Sequence, residues 1–578
     1  MTARTSALPQ EKAAVEQAPR GDGHAVRPAN RYRIARRVAL ALMIVAAIML
    51  VYPVIASPIT ADDRYWYVGS AAGSNGSFVE LVGFAWERLL WHVDIGRMVL
   101  LAEIERRFVY LGIIELAVAT ATPITVYQAL LKLGLLGGGI LCVLAFVRSL
   151  RWRTPDGTLA RVSRRTLVLV GVAGTLAVAV GVQATRPGHN GWIAYPVLTY
   201  GAVAFIFGSI ALLLWLTRLV AERSRAMAIG AAVVLVMLAL ATNLSYELVF
   251  PAVPVAALAL LVIPVTDRAH RAAGRRAKLV TGLAYVGTFV PVFVAARLYL
   301  ASNCADQSCY SGVQVELGSA AMRATAYTFV AAIPGSSDNE LLGDLDAVGW
   351  ADRYPVPPDW WSVLAGLVAL GALSILWWAM RTELPSSEGP GGASISRSAH
   401  RRAEAHMLVV GAALSLLAAL GAAAVMGIGS RTQERITEMG DPYRNIVVTW
   451  TGLAFCLVLV VVALGLIWPQ RRAVMAWIAL AIAIGTLATF TLPGNLMALR
   501  AARITHTVTD AINWEVVQGD TSQSGDARRC ELFERLDEQT SGYVTYAREP
   551  IKNDSNTAFE IYHGAPFCSE FSPTPDPE

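Results

Sequence analysis

Asp62 and Asp63 form an adjacent pair of carboxylates a few residues beyond the first long apolar stretch of the chain. Side by side and partly withdrawn from water, two like charges push one pKa upward, which can poise a proton acceptor near neutral pH. Acidic pairs in loops are commonly just solvated. What singles this pair out is its place at the boundary between an apolar segment and water. Phosphate chemistry at such a boundary calls for guanidinium groups, whose planar fork matches phosphate oxygens and stays charged in any surroundings. Arg64, Arg97, Arg431, Arg435 and Arg444 lie on the same side of the apolar segments as the aspartates. Arg97 follows Gly96, and Arg444 ends the string Asp441-Pro442-Tyr443-Arg444 directly before an apolar run. Taken singly, these arginines could equally contact lipid phosphates or pair with Glu434, Glu438 and Asp441.

The elements that must position these residues follow from composition. Of 578 residues, 55% are hydrophobic and only 16% charged, with mean hydropathy +0.48, too apolar for a soluble chain of this length. Eleven apolar stretches have the length needed to cross a hydrocarbon core of ~30 Å. They fall near 35–56, 125–147, 166–184, 194–217, 226–242, 248–265, 279–299, 361–380, 406–428, 446–468 and 473–492. In lipid each must satisfy its own backbone, so the expected fold is an all-α polytopic membrane protein of about 11 helices. Arginine clusters precede the first stretch (Arg31, Arg33, Arg36, Arg37) and recur in alternate connections, which predicts an N-inside, C-outside arrangement in the cytoplasmic membrane. Residues 1–34 read as a disordered cytoplasmic tail and 35–500 as the membrane domain, with large external loops near 57–124 and 300–360. Residues 501–578 carry 14 Asp or Glu against 6 Lys or Arg and read as an external C-terminal appendage.

Cysteine usage gives an independent check on that topology. Cys142 and Cys456 fall inside apolar stretches, whereas Cys304 with Cys309 and Cys530 with Cys568 fall in the two long outside segments. An even count in each outside segment predicts disulfides formed in an oxidising compartment. The first external loop is itself too apolar to be a solvated connection. Phe78, Leu81, Val82, Ala85 and Leu89 recur at helical spacing with Trp86 and Trp91 alongside, which predicts an amphipathic helix in the headgroup plane. From Met98 to Val118 runs a second stretch whose charges (Glu103, Glu105, Arg106, Arg107, Glu115) are too dense for a lipid-facing span.

An early apolar helix, an Asp-Asp pair in the first external loop and juxtamembrane helices after it resemble the polyprenyl-phosphate-sugar-dependent glycosyltransferases of the GT-C fold. Within that class, DDRYWYVGSAAG followed by Trp91-His92-Val93-Asp94-Ile95-Gly96-Arg97 resembles the phage-type O-antigen glucosyltransferase family, in which Asp-Asp is followed by Gly-Arg some tens of residues later. The likeness covers the first 150 residues best. It implies an inverting transfer of sugar from a polyprenyl-phosphate donor to an envelope glycan or glycolipid outside the cell. Asp62 or Asp63 would be the base, and the other would hold the acceptor, orient the base or share a divalent cation. Arg97, Arg444, Arg431 and Arg64 would bind the donor phosphate. Glu247, at the outer end of a stretch in Asn243-Leu244-Ser245-Tyr246-Glu247, is a candidate for sugar or acceptor contact with Tyr246 and Tyr443. It could equally cap a helix or pair with an arginine.

Other chemistries find less support. There is no His/Cys cluster at zinc spacing, no phosphate-cradling glycine loop and no Gly-x-Ser-x-Gly, and the net charge of +5 reports topology, with no call for a nucleic-acid partner. His189, in Gly188-His189-Asn190-Gly191, reads as a structural residue of a tight turn in preference to a metal ligand. Trp350, Tyr354, Trp360 and Trp361 serve either sugar stacking or interfacial anchoring. Two competing classes remain, a transporter or flippase of an envelope lipid and a non-catalytic assembly protein. The former should show matched halves, and no clear internal repeat is visible.

Overall fold

A computed structural model describes residues 27–60, 63–97, 99–185, 190–222, 225–303, 314–336, 338–353, 355–382, 393–436, 438–439, 441, 443–539 and 542–571. They form a helical protein. α1 (Arg27–Ile55) leads into three helices of the first connecting region, α2 (Asp63–Gly73), α3 (Phe78–Asp94) and α4 (Leu100–Thr120). α5 (Ile124–Ser149) follows, then a hairpin of β1 (Arg151–Arg153) and β2 (Leu159–Arg161), antiparallel with Trp152 opposite Ala160. Next come α6 (Arg164–Ala179), α7 (Pro196–Glu222), α8 (Arg225–Leu244), α9 (Ala252–Val262), α10 (Arg271–Asn303), α11 (Ser319–Ala331) and α12 (Asp338–Asp346). The chain continues through α13 (Trp360–Thr382), α14 (Ala393–Gly427), α15 (Ser430–Arg435), α16 (Ile446–Ile467) and α17 (Gln470–Thr505). It closes with α18 (Thr507–Gln518), α19 (Gln523–Glu538) and α20 (Gly542–His563).

Among the described residues, nine helices are long and apolar enough to cross a membrane: α1, α5, α7, α8, α10, α13, α14, α16 and α17. Two of the eleven predicted stretches differ. The one near 166–184 is the 16-residue α6, which stops at Ala179 where the Trp450 indole N–H donates to the Ala177 and Val178 carbonyls. The one near 248–265 is the 11-residue α9, which ends at Val262; Ile263 is extended at ψ 121°, the conformation that the ring of the following Pro264 favours in the residue before it. Hydropathy saw their apolar length and missed these stops.

A large apolar core forms where α14 packs along α16, α5 along α7, α1 along α13 and α13 along α17. A second core lies elsewhere. Ile59, Tyr67, Val68, Leu81, Tyr110 and Ile114 from the first connecting region pack with Ile512, Val516, Phe533 and Phe559 from the last three helices and with Phe567 just after them. The residues after 501 therefore pack against α2 and α4, and the Tyr562 hydroxyl donates to Glu115 at 2.8 Å. Cys530 and Cys568 are joined, as the count in that segment predicts. Cys304 and Cys309 lie outside the described residues.

α3 differs in detail from its expected wheel. Ser77 caps its start by accepting from the Val79 and Glu80 N–H groups, and Leu81, Ala85, Leu89 and His92 are buried. Val82 belongs to the opposite face, exposed with Val79, Trp86 and Leu90. Apolar on both faces, the helix suits a boundary between protein and lipid.

Candidate active site

Asp63 opens α2, where a carboxylate faces the positive end of the helix dipole. It is completely buried. The Tyr110 hydroxyl of α4 donates to one carboxylate oxygen at 2.5 Å, and the backbone N–H of Tyr195 donates to the other at 2.9 Å. Burial pushes the Asp63 carboxyl up to about 6, opposed by those two hydrogen bonds and by the charges of Lys132 and Arg106. Lys132, also fully buried, donates to the Val54 carbonyl at 3.1 Å and the Ser57 hydroxyl at 2.8 Å. It ties α5 to the end of α1 just before the aspartate pair.

Around this carboxylate lies a layer of rings and charges. Trp66 stacks on Tyr110 at 6.2 Å and tilts against Tyr195 at 5.5 Å, and the Arg106 guanidinium lies over its face at 3.3 Å. Arg106 and Arg107 both bind Glu103 on the same helix, Arg107 at 2.8 Å, and His92 of α3 approaches that carboxylate at 3.6 Å. Burial alone would raise the Glu103 carboxyl, but the two guanidiniums hold it well below the usual carboxylate range. Burial lowers the His92 imidazole. Of the dense charges that mark α4 in the sequence, Glu103, Arg106 and Arg107 are thus folded inward, while Glu105 is exposed.

Tyr195 separates this layer from a cavity. Its backbone is left-handed at φ 58°, a conformation costing a non-glycine residue about 1 kcal/mol or more. Asn190 organises the preceding turn by bonding the Gln183 and Thr185 carbonyls and accepting from the Trp192 N–H. In that turn a Cβ on Gly191 would stand 2.5 Å from the Arg444 carbonyl, so only glycine lets the turn lie against the segment carrying Arg444. The Arg444 guanidinium sits over the Tyr195 ring at 4.3 Å and donates to the Tyr195 hydroxyl at 3.3 Å and the Tyr246 hydroxyl at 3.0 Å.

The cavity measures about 960 Å³. Arg97, Arg431, Arg444, Tyr246, Tyr443 and Glu247 all line it, so the structure brings six of the sequence-predicted residues to one place. Gly96 explains how Arg97 arrives: at φ 84° it ends α3 and turns the chain, and Arg97 lies with its guanidinium 5.9 Å from the Tyr246 ring centre. The remaining wall is mostly apolar, with Phe250, Phe289 and Phe293 in mutual ring contact. Asp62 and His189 lie outside the described residues, as does the side chain of Arg64. Tyr354 lies outside them too, and Trp360 and Trp361 are exposed, stacked on one another at 3.6 Å. Among the described residues, no group of three or more His, Cys, Asp or Glu is placed to hold a metal ion.

Three residues escaped the sequence reading. Lys132 was legible as a lone ammonium inside an apolar stretch, and Arg297, which lines the cavity from α10, as an arginine near the end of one. Tyr195 carried no such signal. No family model, curated protein or solved structure matches the chain, so its reading rests on these arrangements. What they define, among the described residues, is nine apolar helices of crossing length and an arginine- and tyrosine-lined cavity beside a buried aspartate.

Proposed function

We propose that the protein is an integral-membrane glycosyltransferase that moves a sugar from a polyprenyl-phosphate donor to an envelope glycan or glycolipid on the outer face of the cytoplasmic membrane. The observation carrying this reading is the convergence of Arg97, Arg297, Arg431 and Arg444 with Tyr246, Tyr443 and Glu247 on one otherwise largely apolar cavity. Cations on an apolar wall suit an amphiphile whose polar end is a phosphate. Tyrosine hydroxyls and one carboxylate beside them suit sugar hydroxyls. In the transfer step an acceptor hydroxyl oxygen bonds to the sugar's anomeric carbon as the bond from that carbon to the phosphate oxygen breaks. The bonding pair leaves with the polyprenyl phosphate, whose added charge the arginines stabilise, and the acceptor proton passes to a carboxylate.

Both oxygens of Asp63 are committed to Tyr110 and Tyr195. We therefore assign Asp63 to positioning: it holds the Tyr195 backbone and, through that residue, the ring on which Arg444 rests. The base is then Asp62, its neighbour in sequence. The test is sugar transfer from a series of labelled polyprenyl-phosphate sugars in membranes containing the native protein, Asp62→Asn or Arg444→Ala at matched expression. Transfer by native membranes alone supports the reading. Equal transfer in all three sinks it, and donor crossing the bilayer without sugar transfer makes the protein a lipid transporter instead.

A further inference from the structure

α10 carries a second cavity, of about 870 Å³, at its other end. Arg271, Arg275 and Lys278 share one face of the first two turns of this helix and line the cavity together with Arg153 of β1. Arg153 donates to the Thr266 carbonyl at 3.2 and 3.1 Å, and Lys278 to the Leu261 carbonyl at 3.4 Å. No carboxylate lines the space. Beyond Lys278 the same wall becomes apolar through Gly282, Val286 and Gly287. Gly282 puts no side chain into the space between α10 and α9, where a Cβ would already be in contact with Leu260 at 3.5 Å, and the cavity continues along this wall as a furrow. The furrow's apolar flanks are exposed: Leu261 at 78%, Leu279 at 63% and Leu283 at 62%.

Dimensions identify the occupant. From Lys278 to Gly287 the helix advances about 14 Å at 1.5 Å per residue, close to the depth of one leaflet's hydrocarbon in a ~30 Å core. From Lys278 to Arg297, which lines the first cavity, it advances about 29 Å, close to the whole core. The two cavities thus serve opposite leaflets. A free anion would use the four cations and leave the furrow empty; an amphiphile with a phosphate head uses both.

We infer that this second cavity is a binding site for an anionic phospholipid of the leaflet opposite the proposed transfer site, its phosphate among Arg153, Arg271, Arg275 and Lys278 and one acyl chain in the Gly282 furrow. Basic pockets at the ends of membrane helices favour such headgroups, each cation contributing roughly fivefold in affinity. The site is independent of the transfer reaction, and its test needs no sugar.

Purified protein in neutral detergent is titrated with phosphatidylglycerol, with phosphatidylcholine of the same chains and with inorganic phosphate, and bound lipid is counted by native mass spectrometry. Phosphatidylglycerol should bind at least tenfold more tightly than phosphatidylcholine, and inorganic phosphate should not displace it. Removing three cations together (Arg271→Ala, Arg275→Ala, Lys278→Ala) should weaken phosphatidylglycerol on the order of 100-fold. Gly282→Leu, with every charge intact, should weaken it by filling the furrow. Arg276→Ala, adjacent in sequence but outside the lining, should stay within about twofold of native, since it removes a charge without touching the site. If the triple variant is not monodisperse, Arg275→Gln and Gly282→Leu carry the test. Equal binding of the two lipids, native-like binding by Arg275→Gln and Gly282→Leu, or full displacement by inorganic phosphate overturns the inference.

Discussion

Two charged regions meet at Tyr195 and are built on opposite terms. On one side Asp63 and Glu103 are buried, their observed partners being a hydroxyl, a backbone N–H, two guanidiniums and an imidazole of the protein itself. On the other, four arginines border an open volume of about 960 Å³ whose lining contains one carboxylate, Glu247. The first region meets its charges internally and can only hold shape. The second presents charge to a space, as a ligand site does. The difference shows that burial and a perturbed carboxyl do not by themselves mark the reacting group; an accessible volume is also needed.

The comparison predicts that damage to the first region appears mainly as lost stability and damage to the second as lost transfer. Glu103→Gln leaves two buried guanidiniums facing a neutral amide, and the folded state should lose about 3–5 kcal/mol, read by thermal unfolding in detergent. Because the native Glu103 carboxyl is depressed, its stabilisation is present above the unfolded value of 4.5 and fades as pH falls below it. Arg444→Ala should lower transfer about 100- to 1000-fold while unfolding stays near native, and Arg444→Lys should not rescue it, since one ammonium cannot span Tyr195 and Tyr246.

Asp63 links the two regions, so its signature is mixed. Its carboxyl is raised from 3.8 to about 6, so the folded state binds the extra proton between those values and loses stability, about 3 kcal/mol in all, as pH rises through 6. Transfer should run the other way, increasing through pH 6 as the carboxylate forms and holds Tyr195. Asp63→Asn should flatten that limb and reduce the plateau about tenfold, the cost of one charged hydrogen bond. An unchanged limb would remove Asp63 from the positioning role. Tyr195→Phe, which deletes only the hydroxyl beneath Arg444, should reduce transfer about fivefold, near the net value of one hydrogen bond. A larger loss would show that the two regions are coupled more tightly than the geometry implies.

What was legible in the sequence was local or compositional. The apolar stretches became helices because lipid leaves a backbone no other choice, and the glycine of Gly96-Arg97 marked a turn, which is where the structure has it, delivering Arg97 to the cavity. The Asp441–Arg444 string likewise ends where α16 begins. Tyr195 was silent, because its importance comes from a carboxylate 132 positions earlier and an arginine 249 positions later. The end of α6 was hidden in the same way: the indole of Trp450 that satisfies its last-turn carbonyls is 273 residues away from Ala177. Inward folding of Glu103, Arg106 and Arg107 was also hidden, since density of charge argues against lipid without saying whether water or partner groups receive it.

The packing of α20 on α2 has a temporal consequence. The aspartate-bearing helix is synthesised before most of the spans, whereas the helices that complete its apolar bed, and the Cys530–Cys568 link that follows from them, come after all nine. A growing chain would thus reach the bilayer with its spans in place and its carboxylate layer unfinished. Completion of that layer would await synthesis of α18, α19 and α20, so a chain stopped before them would lack the apolar bed on which α2 rests.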